Sequence, residues 1–250
     1  MTPLAALAVL AAGLVAGAVN TIVGSGSLVT FPTLLAVGYP PVLANVSNTV
    51  GLVPGSVSGA LGYRRELAGQ RRRCVVFGCC SALGAITGGF LLLRLPGRVF
   101  AAIVPALIVL ACVLIALQPR LKRPAGSGSP GRGRLVGGLV GVYLTGVYGG
   151  YFGAAQGVIL VALLGIVVDD GLQRINALKN VLAAIVNGVA GVLFILLTHI
   201  AWLPAGLIAI GSVAGALIGA RVGRRIPDPV LRWTIVAVGT VVAIVLFVRL

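Results

Sequence analysis

The chain has 250 residues, 59% of them hydrophobic and only 9% charged, with a mean hydropathy of +1.13. Soluble domains carry about 25% charged residues, so a water-soluble fold is excluded. The net charge of +15 does not indicate nucleic acid, because the cations form no single basic face and sit in short gaps between apolar runs, as they do in membrane proteins.

Residues 1–63, 74–93, 99–119, 135–168, 180–220 and 233–248 contain no Asp, Glu, Lys or Arg. A helix needs roughly 20 apolar residues to cross the hydrocarbon core. The pattern predicts an all-α, polytopic membrane protein with about 8–10 membrane segments. The first cation is Arg64, so the N-terminus lacks the positive region of a signal peptide and residues 4–22 read as a retained first helix.

Gly24-Ser25-Gly26-Ser27 then interrupts the apolar run. Broken backbone at membrane depth survives only where protein or a water-filled cavity satisfies it. Residues 26–37 make a short apolar piece of about 18 Å, with Pro32 inside it. A turn at Gly38-Tyr39-Pro40-Pro41 leads to a span over 42–62 rich in small polar groups, among them Asn45, Ser47, Asn48 and Ser56. A basic loop, Arg64 to Arg73, precedes spans at 74–93 and 99–117. Cys74, Cys79, Cys80 and Cys112 lie in apolar segments without metal-type spacing and read as small buried hydrophobes. Residues 118–134 form the one long polar segment and read as a flexible linker. They separate a first transmembrane repeat, 1–117, from a second, 135–250.

The second half echoes the first. A shift of 129 places Gly24 on Gly153, and a shift of 132 places Asn48 on Asn180. A shift of 131 places Ser81, Gly84, Gly88, Arg94 and Pro96 on Ser212, Gly215, Gly219, Arg225 and Pro227. Five crossings per half would invert the second half relative to the first. With the linker cytoplasmic, 16 of the 19 cations fall inside and only Arg94, Arg98 and Arg249 fall outside. Both termini are then outside.

Inverted repeats with interrupted helices are a transporter plan, with substrate held near the midplane. A helix starting just after a break offers free N–H groups and the positive end of its dipole, which suits an anion. The starts here are Ser25, Gly26 and Ser27 in the first half and Ala155, Gln156 and Gly157 in the second. Asn45, Ser47 and Asn48, with Asn176, Lys179 and Asn180, supply polar faces to complete a cavity. Asn20 and Tyr148 flank the breaks. Glu66, Asp169, Asp170 and Asp228 all fall in predicted loops, which argues against a carboxylate cage for a cation and for a small anionic substrate.

Several residues have blander readings. Ser56, Ser58 and Thr87 can bond back to the preceding turn. Gly84, Gly88, Gly215 and Gly219 suit helix packing. Lys179 can snorkel to the cytoplasmic face, and His199 suits an interfacial turn beside Trp202. Nothing suggests an enzyme: the Gly24-Ser25-Gly26 stretch lacks the third glycine of a dinucleotide fingerprint, and no GK[ST] follows. No cofactor or metal is expected.

The stretches Gly13 to Pro32 (GLVAGAVNTIVGSGSLVTFP) and Ala44 to Gly59 (ANVSNTVGLVPGSVSG) resemble the TauE/SafE family of bacterial membrane transporters. The second-half copies, Gly146 to Gly157 and Asn176 to Gly188, carry the same resemblance, as do the glycine-rich helices Gly84 to Pro96 and Gly215 to Pro227. The resemblance implies a secondary transporter of the bacterial inner membrane that exports sulfite, an organosulfonate or another small anion. Expected partners are that anion and the bilayer, with a homo-oligomer compatible and the coupling ion open. The second break departs from the first, with Gly-Ala-Ala-Gln-Gly replacing Gly-Ser-Gly-Ser. A passive anion channel and a non-transporting scaffold are the competing readings.

Overall fold

A computed structural model describes residues 1–121 and 132–222, together with 233, 237 and 240. Among them the chain forms nine α-helices and no strand. The first half contributes α1 (Pro3–Ile22), α2 (Ser27–Ala36), α3 (Pro41–Gly62), α4 (Arg71–Arg94) and α5 (Gly97–Leu121). The second contributes α6 (Arg132–Tyr151), α7 (Gln156–Val167), α8 (Leu172–Leu197) and α9 (Trp202–Val222). Most of the 118–134 linker, the 233–248 run, Arg225, Pro227 and Asp228 lie outside the described residues. Helix nevertheless reaches into both ends of the linker, to Leu121 and from Arg132.

The helix limits follow from local chemistry. Thr2 caps α1 by accepting from the Ala5 N–H, and Pro3 occupies the first turn, where its missing N–H costs nothing. Pro41 opens α3 the same way. Four helices, α1, α4, α8 and α9, are long and apolar enough to cross a bilayer. α3 reaches 22 residues, diluted by the Asn, Ser and Thr side chains it buries. α2 and α7, at 10 and 12 residues, rise only about 15 and 18 Å, half a bilayer. Large apolar side chains such as Leu4, Leu61, Leu83, Leu196 and Ile210 are exposed, as a lipid-facing surface requires.

The two halves interlock. α1 packs on α9 and α6 on α4, while α3 packs on α9 and α8 on α4, so exchanging α1, α3 and α4 for α6, α8 and α9 reproduces the pattern. Glycines make these seams close. A Cβ on Gly84 would lie 2.9 Å from Gly146 Cα, and one on Gly219 would lie 2.9 Å from Ala18 Cα. The packing reading of Gly84, Gly88, Gly215 and Gly219 is thus the one the structure bears out. Of the cysteines only Cys112 is buried; Cys79 is exposed on α4, so the expectation of four buried thiols fails there. His199 sits exposed in the α8–α9 turn.

A polar clamp joins the halves at one end. Asp170, in the α7–α8 turn, accepts from Arg73 at the start of α4 (2.6 Å) and from Arg174 on α8 (2.7 Å). Arg174 also donates to Ala68 O, and Gln70 donates to Arg174 O. Partial burial alone would raise the Asp170 pKa, but hydrogen bonds from Arg174, Arg73 and the Gly171 N–H hold it below the ordinary value of 3.8. A carboxylate with a lowered pKa stabilises the fold above the unfolded value, and that contribution is lost only as pH falls through the folded one. The clamp should therefore be unchanged between about pH 8 and pH 5. Asp170→Asn should speed tryptic cleavage in the Arg64–Arg73 loop about fivefold in detergent, as loss of a solvent-screened pair worth about 1 kcal/mol allows. Equal cleavage of variant and wild type would show that the clamp does not hold the loop.

Candidate functional site

α1 and α6 end in the same way. The N–H groups of Val23 and Gly24 both turn back to Val19 O, at 2.8 and 3.1 Å. Those of Phe152 and Gly153 turn back to Tyr148 O, at 2.9 and 3.1 Å. Gly24 (φ +87°) and Gly153 (φ +78°) supply the left-handed residue that this ending needs. At the shift of 129 the two endings match residue for residue as far as the glycine.

The two breaks touch. The Gly157 N–H donates to Gly24 O at 2.9 Å, and the glycine backbones lie against each other with no room for a side chain on either. On one flank Phe31 of α2 packs edge-on against Phe152 (centroids 5.2 Å apart), and Phe100 of α5 closes the cluster against both.

Each broken helix leaves carbonyls that its own turns do not use, and the opposite half fills them. Thr21 O accepts from three residues of α8: Lys179 Nζ at 3.1 Å, Asn180 Nδ2 at 3.2 Å and Asn176 Nδ2 at 3.5 Å. Lys179 Nζ also donates to Asn20 O at 3.0 Å. In the mirror arrangement Asn45 Nδ2 of α3 donates to Tyr151 O of α6 at 3.0 Å. Tyr148 OH donates to Ala154 O at 2.6 Å.

Lys179 is 0% exposed, so it does not snorkel. Its stem passes Gly157, and its amine reaches the negative end of α1 rather than water. The snorkelling alternative is thereby corrected: the lysine stands beside the crossing. Asn48 holds α2, accepting from Thr30 Oγ1 and donating to Ser27 Oγ (3.2 Å). Ser47 is elsewhere, accepting from the Ala201 N–H in the α8–α9 turn. Gly26 lies tight against α1: a Cβ there would be 3.0 Å from Asn20 Cβ. Ala155, at φ +58°, takes the left-handed conformation in which the first half has a right-handed Gly26 (φ −57°).

Sequence reasoning missed a cluster beside the crossing. Asn20 Nδ2 (3.2 Å) and Asn187 Nδ2 (2.8 Å) both donate to Ser56 Oγ. Ser58 and Thr87 do bond back to their own helices, to Pro54 O and Leu83 O. Asn187 stands among apolar neighbours one turn beyond Ala183, a signal that the glycine beside it obscured.

Several buried polar atoms at the crossing have no partner. The side-chain atoms are Ser25 Oγ, Gln156 Nε2, Asn45 Oδ1 and Asn176 Oδ1. The backbone N–H groups of Ser25, Gly26, Ser27, Ala154 and Ala155 also donate to nothing among the described residues. Buried polar groups are otherwise almost always bonded. The breaks thus hold unspent donors, Ser25 Oγ, Gln156 Nε2 and these N–H groups, beside two unspent amide oxygens, where no carboxylate lies: the acidic residues among the described set, Glu66, Asp169 and Asp170, are all in loops. Among the described residues no cluster of three or more His, Cys, Asp or Glu can hold a metal.

The family described as Sulfite exporter TauE/SafE matches residues 9–246. "Probable membrane transporter protein ORF9" of Sinorhizobium sp is 27% identical over 96% of this chain and 89% of its own length. A "Probable membrane transporter protein" of Haemophilus influenzae is 29% identical over 84% of this chain and 81% of its own. "Probable membrane transporter protein YfcA" of Escherichia coli K12 is 26% identical, covering 92% and 85%. No solved structure matches.

Gly24→Ala and Gly38→Ala separate conformational from contact effects. Both place alanine in a left-handed conformation (φ +87° and +100°), at about 1–2 kcal/mol each. Only Gly24 also meets another backbone, since nothing lies within 4 Å of a Cβ on Gly38. Thermal unfolding in detergent should show Gly24→Ala worse than Gly38→Ala by a further 1–3 kcal/mol or so. Equal losses would mean that the breaks do not touch in solution.

Proposed function

The chain belongs to the TauE/SafE sulfite exporter family, and we propose that it is a secondary transporter moving a small sulfur-containing oxyanion, sulfite or an organosulfonate, across the bacterial inner membrane. The observation that carries this reading is the set of unspent donors at the crossing, Ser25 Oγ, Gln156 Nε2 and the neighbouring N–H groups. An oxyanion supplies the acceptors these donors lack, in a setting where two helices begin and their dipoles favour negative charge. Lys179 adds a basic group beside them. The names of the relatives point to transport rather than catalysis.

The mechanism that fits is alternating access about the crossing, in a fold built from two inverted repeats. The exchange symmetry of the helix packing and the identical endings of α1 and α6 support a repeat; the positive-inside count supports its inversion, with the linker cytoplasmic and both termini outside. Export is the direction the family name implies. The Gly24–Gly157 backbone contact blocks a straight path between the breaks, which favours a carrier over an open channel.

Sulfite flux into proteoliposomes tests the reading. Wild-type flux should saturate and show counterflow, and Ser25→Ala and Gln156→Ala should each raise KM about tenfold, as the loss of one hydrogen bond to an anion predicts. Linear flux would indicate a channel. Unchanged KM in both variants would remove the crossing as the binding site.

A further inference from the structure

The amine of Lys179 has two protein partners and three positions to fill. Nζ donates to Asn20 O at 3.0 Å and to Thr21 O at 3.1 Å, and to nothing else among the described residues. A neutral amine has two N–H groups and a lone pair, so these two carbonyls satisfy both N–H groups and leave the lone pair free. An ammonium has a third N–H, which the surrounding protein leaves without an acceptor. Both forms fit the same geometry. They differ only in what occupies the third position.

Among the described residues no carboxylate bonds to this lysine. α1, α3 and α7, which adjoin it, contain no titratable side chain. On α4 the titratable groups are Arg71, Arg72 and Arg73, with Cys74, Cys79 and Cys80 along the helix, and Arg94 at its far end. On α6 Tyr148 OH is given to Ala154 O and Tyr143 OH meets Thr87; Tyr151 and Arg134 complete that helix within the described side chains. Tyr63, after α3, packs on Ala177. On α8 itself Arg174 is held by Asp170, whose carboxylate is also spent on Arg73. None of these groups bonds to Lys179.

A fully buried ammonium without a counter-ion is costly, whereas a buried ion pair with a hydrogen bond is tolerated. The anion bound at the crossing is the one counter-ion the site can receive. We propose that Lys179 is the coupling group of the transporter: its lone pair takes one proton from water on the side where the anion enters, and that proton returns to water, leaving the lone pair, on the side where the anion leaves. One proton then moves with each anion, and the carrier is a proton–anion symporter whose direction follows the summed gradients. This rests on the anion-transport reading of the crossing.

Lys179→Gln is the informative change, because a neutral amide keeps two N–H donors for the two carbonyls and cannot take a third proton. Lys179→Arg is its complement, permanently charged. The readout is sulfite in proteoliposomes, with leak through protein-free vesicles subtracted. Exchange of labelled for unlabelled sulfite reports the anion site. Net accumulation under an imposed pH gradient reports coupling, and comparison with the variants removes the contribution of sulfite's own protonation. One proton per anion carried on the protein multiplies the wild-type accumulation ratio by about a further tenfold per pH unit relative to either variant. The variants should exchange more slowly than wild type and lose that extra response.

Wild-type exchange with the same gradient response in wild type and Lys179→Gln would overturn the coupling proposal and leave the anion site standing. Absence of wild-type exchange would overturn both. If neither variant exchanges, calorimetry of sulfite binding to wild-type protein in buffers of different ionisation enthalpy decides. Uptake of about one proton per anion beyond that taken by sulfite itself supports the proposal, and none overturns it.

Discussion

The carbonyl of Thr21 receives hydrogen bonds from Lys179, Asn180 and Asn176, all on a helix of the opposite half. Without them α1 would end inside the membrane with buried acceptors unsatisfied, at about 1–3 kcal/mol for each. Much else follows from that demand. α8 must carry amides and a lysine on one face, three and four residues apart, and it must lie against the end of α1. α3 must do the same for α6 through Asn45 and Tyr151 O. Neither half can satisfy its own broken helix, so the halves interlock.

The membrane class, the helix order and both breaks were legible in the sequence because they depend on composition. An uncharged run must be buried in lipid or protein, and glycine and serine in the middle of one must interrupt a helix. The matched glycines 24 and 153 even specify the φ > 0 residue at each ending. The partners were not legible, because most of them are backbone carbonyls, which every residue has. Lys179 looked free to snorkel since its sequence neighbourhood does not reveal that α1 ends beside it. Ser47 shares the polar face of Asn45 and Asn48 on paper, yet two residues turn it toward the α8–α9 turn. Ser56 reads as a helix back-bonder like Ser58, and only the approach of α1 and α8 gives it Asn20 and Asn187.

The repeats are alike in backbone and unlike in chemistry. At the shift of 132 that aligns Asn48 with Asn180, Lys179 falls on Ser47. One half therefore brings a basic side chain to the crossing and the other a hydroxyl that points away. At the shift of 129 that aligns the breaks, Ala155 in the left-handed region matches a right-handed Gly26. The chain carries alanine where glycine would relax the backbone, and glycine where α1 leaves no space for a side chain. Backbone symmetry thus supplies the frame, while a single basic residue gives the crossing its charge.

The same pairings constrain how the molecule can move. A rearrangement that separated the halves along the sequence divide would strip Thr21 O and Tyr151 O of their donors together. The accumulated cost of several buried, unsatisfied carbonyls exceeds what one small anion returns by binding one state over another, typically a few kcal/mol. The units that can shift cheaply are those that keep their caps, so α8 has to travel with the end of α1, and α3 with the end of α6. The glycine seams between α1 and α9 and between α4 and α6, packed nearly backbone to backbone, bind each broken helix to a partner from the other half in the same sense. Rigid bodies in this fold are therefore composed across the repeats, and the point where they meet is the glycine pair at the crossing, the place with the least side chain to displace.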